Sequence, residues 1–388
     1  MRAERRDPAS LNGTAVSFDV RAEHLYVHVP FCARRCVYCD FSIAVRSRVP
    51  VGDYLESLAA EWDVRHADSE LDLETLYLGG GTPSKLGGEG IARLMDLLGG
   101  RVRIKPDAEI TLEANPEDVT TDAARGWHAA GINRVSLGVQ SFDDAVLSWM
   151  HRTHDTRRAL DAIEVLRDVG LSNISIDLIF ATPPHVHRDW RRDIDKAISL
   201  DLPHVSVYGL TVEPHTPLGR WIARSDVTEA TEDIFEREYL LASAQLRAAG
   251  FDHYEVSNYG RPRFHSRHNW AYWRRAPYVG LGPSAHEFDG TSRQWNLSAY
   301  TDWVRRVGEG ADTSAGTERL DEEQIHAEQV YLGLRTMAGT TIDDQEAVTR
   351  FVDAGWAELS DDSTLRLTTP GYLRLDSIAS SLTLLRSR

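Results

Sequence analysis

Residues 24–41 read His24-Leu-Tyr26-Val-His28-Val-Pro-Phe-Cys32-Ala-Arg-Arg-Cys36-Val-Tyr38-Cys39-Asp-Phe41. A short apolar, β-branched run ends in three cysteines spaced Cys-x3-Cys-x2-Cys. They are the only cysteines among 388 residues. An odd trio packed this closely is a poor disulfide framework. Clustered soft thiolates point instead to a metal or cluster kept in a reducing compartment. Three thiolates can hold three irons of a cubic [4Fe–4S] cluster and leave the fourth iron open, and an open position is what chemistry needs. The same spacing also admits a structural zinc site, with His28 the nearest fourth ligand.

Outward from this loop, short β-branched runs alternate with amphipathic stretches. The strands are expected at His24–Pro30, Thr75–Leu78, Glu109–Glu113, Arg134–Val139, Ile174–Ile179 and His204–Leu210. Helical patterns lie between them, such as Val51–Arg65, Gly90–Leu98, Pro116–Ala130 and Arg157–Val169. Six βα units predict an α/β fold built on a parallel sheet: a partial (βα)6 barrel, with a doubly wound sheet as the competing architecture. In both, sites form at the C-terminal ends of the strands. From Phe251 the rhythm changes, and Phe251–Asn296 reads as strands and loops closing the open side of the barrel. Beyond it, Ala299–Val307, Glu322–Arg335 and Gln345–Ala354 read as helices. Ala357–Leu359 and Thr364–Thr368 then read as a hairpin, followed by a helix from Gly371. That C-terminal α+β module is winged-helix-like. The expected domains are a polar N-terminal arm (1–23), a core barrel with a β extension (24–296) and the C-terminal module (297–388).

Composition excludes several function classes. Lys and Arg total 43 against 59 Asp and Glu, a net charge of −16, which argues against nucleic acid as a partner. No apolar run reaches membrane-spanning length, and the charged N-terminus is unlike a secretory signal. A cytoplasmic protein is expected, with any membrane contact peripheral.

Polar residues recur where strands end. Gly79-Gly80-Gly81-Thr82-Pro83-Ser84 follows the second strand, and three glycines permit close approach of a ligand to backbone. Glu113 and Gln140 end the third and fourth strands, and Asp177 lies in the fifth. Each is costly to bury unpaired. Arg152, in His-Arg-Thr-His, offers a planar fork suited to a carboxylate. A second constellation is His265-Ser-Arg-His268-Asn269-Trp-Ala-Tyr272-Trp273. A neutral imidazole can ligate heme iron, and aromatic rings pack on a porphyrin face. A His-Asn pair satisfying loop backbone, with aromatic filler, is the alternative.

The cysteine loop resembles the signature of the radical S-adenosyl-L-methionine (SAM) superfamily. Tyr26 through Phe41 looks like the opening of the heme chaperone HemW family, relatives of oxygen-independent coproporphyrinogen III oxidase. The resemblance extends through the GGGTPS element, Tyr208-Gly-Leu-Thr211, Tyr254-Glu-Val-Ser-Asn258 and the HNxxYW element at His268. It implies a [4Fe–4S] cluster on Cys32, Cys36 and Cys39. It implies SAM contacts at Tyr26, Tyr38, Gly80, Gly81, Thr82, Glu113, Gln140, Arg152, Asp177 and Thr211, with Arg152 on the carboxylate. It implies heme contacts at His268, Asn269, Tyr272 and Trp273. The implied function is delivery of heme to respiratory hemoproteins by a monomer or homodimer. The oxidase is the alternative function. Its loop carries one more cysteine, where this chain has Phe41, and it lacks the HNxxYW element. Two positions depart from the family pattern. Ala181-Thr182-Pro183 replaces Gly-Leu-Pro, and His151 stands before Arg152 where glycine is usual.

Overall fold

The computed structural model describes residues 22–384. The expected N-terminal arm therefore lies almost wholly outside the described residues. The first six strands are β1 (His24–Val29), β2 (Asp72–Gly80), β3 (Arg103–Ala114), β4 (Arg134–Gln140), β5 (Ile174–Phe180) and β6 (His204–Gly209). They pair in sequence order, all parallel. The crossovers carry helices α1 (Val51–Arg65), α2 (Gly87–Gly99), α3 (Thr121–Ala129), α4 (Thr156–Asp168) and α5 (Trp190–Ser199). This is the partial barrel read from the βα rhythm. The expected helix Pro116–Ala130 is divided. Pro116–Asp118 is a 3-10 turn, and α3 starts only at Thr121, where the Thr120 hydroxyl caps the Ala123 amide.

Side chains alternate along each strand. On β1, Leu25, Val27 and Val29 are wholly buried in the apolar core. The intervening Tyr26 and His28 belong to the opposite, polar face. The same period puts Tyr77 of β2, Glu113 of β3, Ser136 of β4, Asp177 of β5 and Tyr208 of β6 toward the barrel interior.

The sheet does not stop at six strands. After helix α6 (Glu232–Ala248), the hairpin β7 (Asp252–Glu255) and β8 (Asn258–Gly260) extends it antiparallel beyond β6. Strand β9 (Val279–Leu281) adds parallel to β1 at the other edge. Between the two edges runs α7 (Arg267–Trp273), whose first turn is capped by the Ser266 hydroxyl on the Asn269 amide. The expectation of strands and loops for this segment is therefore corrected: the HNxxYW residues ride on a helix.

Strands β10 (His286–Phe288), β11 (Ser292–Asn296) and β12 (Ser314–Arg319) form a small antiparallel sheet, and α8 (Tyr300–Gly308) lies between β11 and β12 in sequence. This sheet spans the expected boundary at residue 296. The C-terminal residues form α9 (Glu322–Leu334), three short antiparallel strands and α10 (Leu375–Leu384). The expected helix Gln345–Ala354 is a 3-10 turn at Glu346–Val348 running into Thr349–Asp353. Leu334, Leu365 and Ile378 join the same contiguous apolar core as Leu25 and Val27.

Candidate functional site

A cavity of about 530 Å³ opens at the C-terminal ends of β1–β6. Cys32, Cys36, Cys39, Tyr38, Gly80, Gly81, Thr82, Glu113, Gln140, Arg152, Asp177 and Thr211 all line it. Residues as distant in sequence as Cys32 and Thr211 thus meet around one space, as the strand-end pattern requires. Tyr26 does not line the cavity. Its hydroxyl reaches His28 Nδ1 at 3.1 Å, and its ring stacks on Tyr77 one layer lower.

The cysteine loop leaves β1 and is pinned from both sides. The Cys32 backbone pairs with Val45, the Val37 amide reaches the Met150 carbonyl, and the Arg35 guanidinium donates to the Cys39 carbonyl at 3.1 Å. The Cys32 thiol contacts the Thr82 hydroxyl at 3.3 Å. Burial pushes that thiol up to about 11, so metal ligation there must displace a proton. Among the described residues, no three His, Cys, Asp or Glu side chains gather closely enough to hold one metal ion. A cubic cluster instead holds its thiolates on three separate irons. The zinc alternative also needed His28. Its Nε2 lies 3.1 Å from the Ser42 carbonyl, which only accepts, so Nε2 carries the proton and Nδ1 accepts from Tyr26. Both nitrogens are committed, and burial lowers the imidazole to about 4.

Arg152 is the cationic centre of the wall. Its Nη2 donates to Asn115 Oδ1 at 2.6 Å and to the Gly138 carbonyl at 2.9 Å, and its Nη1 approaches Cys36 Sγ at 3.5 Å. Its Nε is buried without a partner. A buried donor on a fixed cation, beside a thiol, suits an anionic ligand group.

Two carboxyls face it across the cavity. Glu113 accepts from the Tyr77 hydroxyl at 2.8 Å and from the Gly80 amide at 3.0 Å. Burial nevertheless pushes it up to about 7, with nearby Asp177 adding to the rise. Asp177 is pushed up to about 6 by burial, against a hydrogen bond from Ser136 at 3.2 Å. Paired carboxyls at strand ends suit the vicinal hydroxyls of a ribose.

The glycine triplet has a packing reason besides ligand approach. A Cβ on Gly79 would stand 2.8 Å from the Tyr77 ring and 2.9 Å from that of Tyr26. A Cβ on Gly80, at φ +111°, would meet the His28 ring at 2.6 Å.

The helix α7 residues lie at the barrel floor, away from the cavity. His268 is 1% exposed. Its Nδ1 meets the Thr75 hydroxyl at 2.6 Å, its Nε2 meets the Tyr272 hydroxyl at 2.9 Å, and its ring lies on Tyr77. Burial holds it neutral down to about 3. Trp273 lies under the Arg335 guanidinium at 4.3 Å, and Asn269 stands in the first turn. A neutral imidazole suits heme iron, but here both nitrogens already have partners.

Residues 26–197 match the radical SAM superfamily. Heme chaperone HemW of Mycobacterium tuberculosis is 36% identical over 370 residues, covering 92% of this chain and 94% of its own. Heme chaperone HemW of Escherichia coli is 38% identical over 265 residues, covering 68% and 69%. The chain belongs to the HemW family. Coproporphyrinogen III oxidase of Escherichia coli superposes with a TM-score of 0.79 over 95% of this chain and 92% of its own, at 21% identity, which bears on the fold alone. Both departures from the HemW pattern sit at left-handed backbone: Ala181 has φ 57° and His151 has φ 59°. Glycine is usual there because it adopts such angles freely.

Site residues given no role from the sequence are Asn115, Ser136 and Tyr208 on the wall, and Tyr77 behind Glu113. Tyr208 is 43% exposed because it faces the cavity. The period-two alternation that marks Glu113 and Asp177 also marks Ser136, Tyr208 and Tyr77.

Proposed function

We propose that this chain is a heme chaperone that holds a [4Fe–4S] cluster on Cys32, Cys36 and Cys39, binds SAM in the cavity and delivers heme to respiratory hemoproteins. The observation that carries the SAM reading is Arg152, whose Nε is buried without a partner and whose Nη1 reaches Cys36 Sγ. It fits a carboxylate held next to the cluster loop. A cluster bound there supplies an open iron position and single electrons. The chain's own residues do the rest. Arg152 holds the SAM carboxylate, Tyr38 packs against the adenine, and Glu113 and Asp177 take the ribose hydroxyls. The backbone at Gly80 and Gly81 receives the amino group, with Gln140, Thr82 and Thr211 completing the wall.

Delivery rather than porphyrin oxidation is favoured by Phe41. It is 60% exposed at the lip of the cavity, where the oxidase carries its further cysteine. Heme is taken at α7, with Asn269, Tyr272 and Trp273 forming the contact face. His268 ligates iron only after giving up a hydroxyl partner, and it gives up Thr75 of β2 when α7 leaves its seat on the barrel floor. The protein acts in the cytoplasm as a monomer or dimer, and among the described residues no helix is long and apolar enough to cross a membrane.

The deciding experiment gives the cluster-loaded protein coproporphyrinogen III, SAM and an anaerobic reductant, in parallel with a heme titration. The expected result is a shifted Soret band, weakened by His268→Ala, with no protoporphyrinogen formed. Clean conversion to protoporphyrinogen assigns the oxidase activity instead.

A further inference from the structure

Tyr77 touches both halves of the molecule that the functional reading keeps apart. Its hydroxyl donates to Glu113 at 2.8 Å, on the cavity wall. Its ring lies 5.0 Å from the His268 imidazole at an interplanar angle of 27°. The other face of the ring is no freer. Tyr26 stacks on Tyr77 at 6.1 Å and 23°, and Gly79 leaves the room in which the ring can stand along its own strand. Glu113 has two donors, and only one of them, the Gly80 amide, is backbone. The second depends on where the Tyr77 ring sits. That ring is backed by His268, which is itself tied to Thr75 and Tyr272, while its amide donates to Glu109 at 3.1 Å.

We propose that Tyr77 is a positioning residue that ties the orientation of Glu113 to the seating of helix α7, so that binding at the cavity and release of the helix oppose each other. The proposal rests on the reading that SAM occupies the cavity. With α7 seated, His268 holds the Tyr77 ring and Glu113 keeps both donors. With α7 released, the ring loses its backing and the carboxyl loses an aligned hydroxyl. A ligand that uses Glu113 therefore binds the seated form more tightly. By linkage it holds α7 on the floor and withholds His268 from iron, by the same factor. The device makes SAM a brake on heme capture.

The test is equilibrium dialysis of SAM against cluster-loaded wild type, Tyr77→Phe, His268→Ala and the double variant. Tyr272→Phe serves as a milder second probe that removes one His268 partner. Each single change is expected to weaken SAM roughly five- to tenfold, within the usual range for coupled sites. The double variant is expected to be no weaker than Tyr77→Phe, because both act through one contact. The pH at which SAM binding is half-maximal separates positioning from general loosening. Glu113 accepts from the Tyr77 hydroxyl and the Gly80 amide, shares the cavity wall with Arg152 and Asp177, and is felt through space by the hydroxyls of Tyr26, Tyr208 and Tyr272. Losing the Tyr77 donor raises the Glu113 midpoint, so the binding profile moves to higher pH in Tyr77→Phe and His268→Ala alike. An unmoved profile, additive losses, or wild-type affinity in both His268→Ala and Tyr272→Phe overturns the proposal. If cluster-loaded wild type binds no SAM, the functional reading itself fails. Hydrogen exchange of the α7 amides then decides the coupling: faster exchange in Tyr77→Phe supports it, and unchanged exchange overturns it.

Discussion

Ala181 and His151 hold a backbone conformation that costs an L-residue about 1–2 kcal/mol. Ala181→Gly removes the Cβ that causes this cost, partly offset by the greater freedom of glycine in the unfolded chain. The expected result is a rise of about 1 kcal/mol in unfolding free energy, read from the denaturant midpoint. A lower midpoint contradicts it. Glu113 makes a second prediction at this scale. Its folded carboxyl is pushed above the ordinary 4.5 to about 7. The folded state keeps that proton to higher pH than the unfolded chain does. Stability from this group is therefore lost as pH rises from about 4.5 to 7, and is level above that. Glu113→Gln in the SAM-free protein should raise the melting temperature more at about pH 8 than at about pH 4.5. Equal shifts at both values would show that burial of the charge is not the cause.

At the scale of elements, the turn after β2 and the helix α7 carry the site's precision. Gly80→Ala would place a Cβ 2.6 Å from the His28 ring at a φ that only glycine adopts freely. His28 is fixed by Ser42, so the ring cannot yield cheaply. The expected outcome is a loss of about 1–3 kcal/mol in stability, with SAM binding lost first, read by thermal melts beside dialysis. The strands of this region are legible because a β-branched run with polar residues at every second position is a local pattern. Helix α7 is not legible. Seven residues make about two turns. They include one His, one Asn and three aromatics, whose helix preference is weak. Only the Ser266 cap and the packing of His268 against Thr75 and Tyr77 fix its form.

At the scale of the whole molecule, one buried ionic network binds the barrel to the small β10–β12 sheet. Arg65, at the end of α1, donates to Glu287 and Asn296 and reaches Gln294 at 3.0 Å. Glu61 accepts from the Gly282 amide and from the Thr313 hydroxyl, each at 2.8 Å. Burial pushes Glu287 up to about 7, with Arg65 pulling it back. Removing one partner of such a buried network leaves an uncompensated charge and costs about 3–5 kcal/mol. Arg65→Met should lower stability by that order while unfolding stays a single transition, because one core runs through both parts. Separate unfolding of the C-terminal residues in wild type would show the network to be a surface between independent domains. For the cluster, Cys36→Ala should lower iron in anaerobically reconstituted protein from about four per chain. Full retention of iron and of its absorption would remove Cys36 from the ligand set.

The sequence by itself determined the parallel sheet, the cysteine loop at its first strand and the polar strand ends. All three are written in periods and spacings of a few residues, which a chain shows without folding. The tertiary structure alone decided who meets whom. It put Arg152 against Cys36, Tyr77 between Glu113 and His268, and His268 on the barrel floor with both nitrogens engaged. These contacts join residues far apart in the chain. A polar side chain at a strand end shows that a partner is needed, because burial without one is costly. It does not show which partner, because that depends on the tilt and register of neighbouring strands.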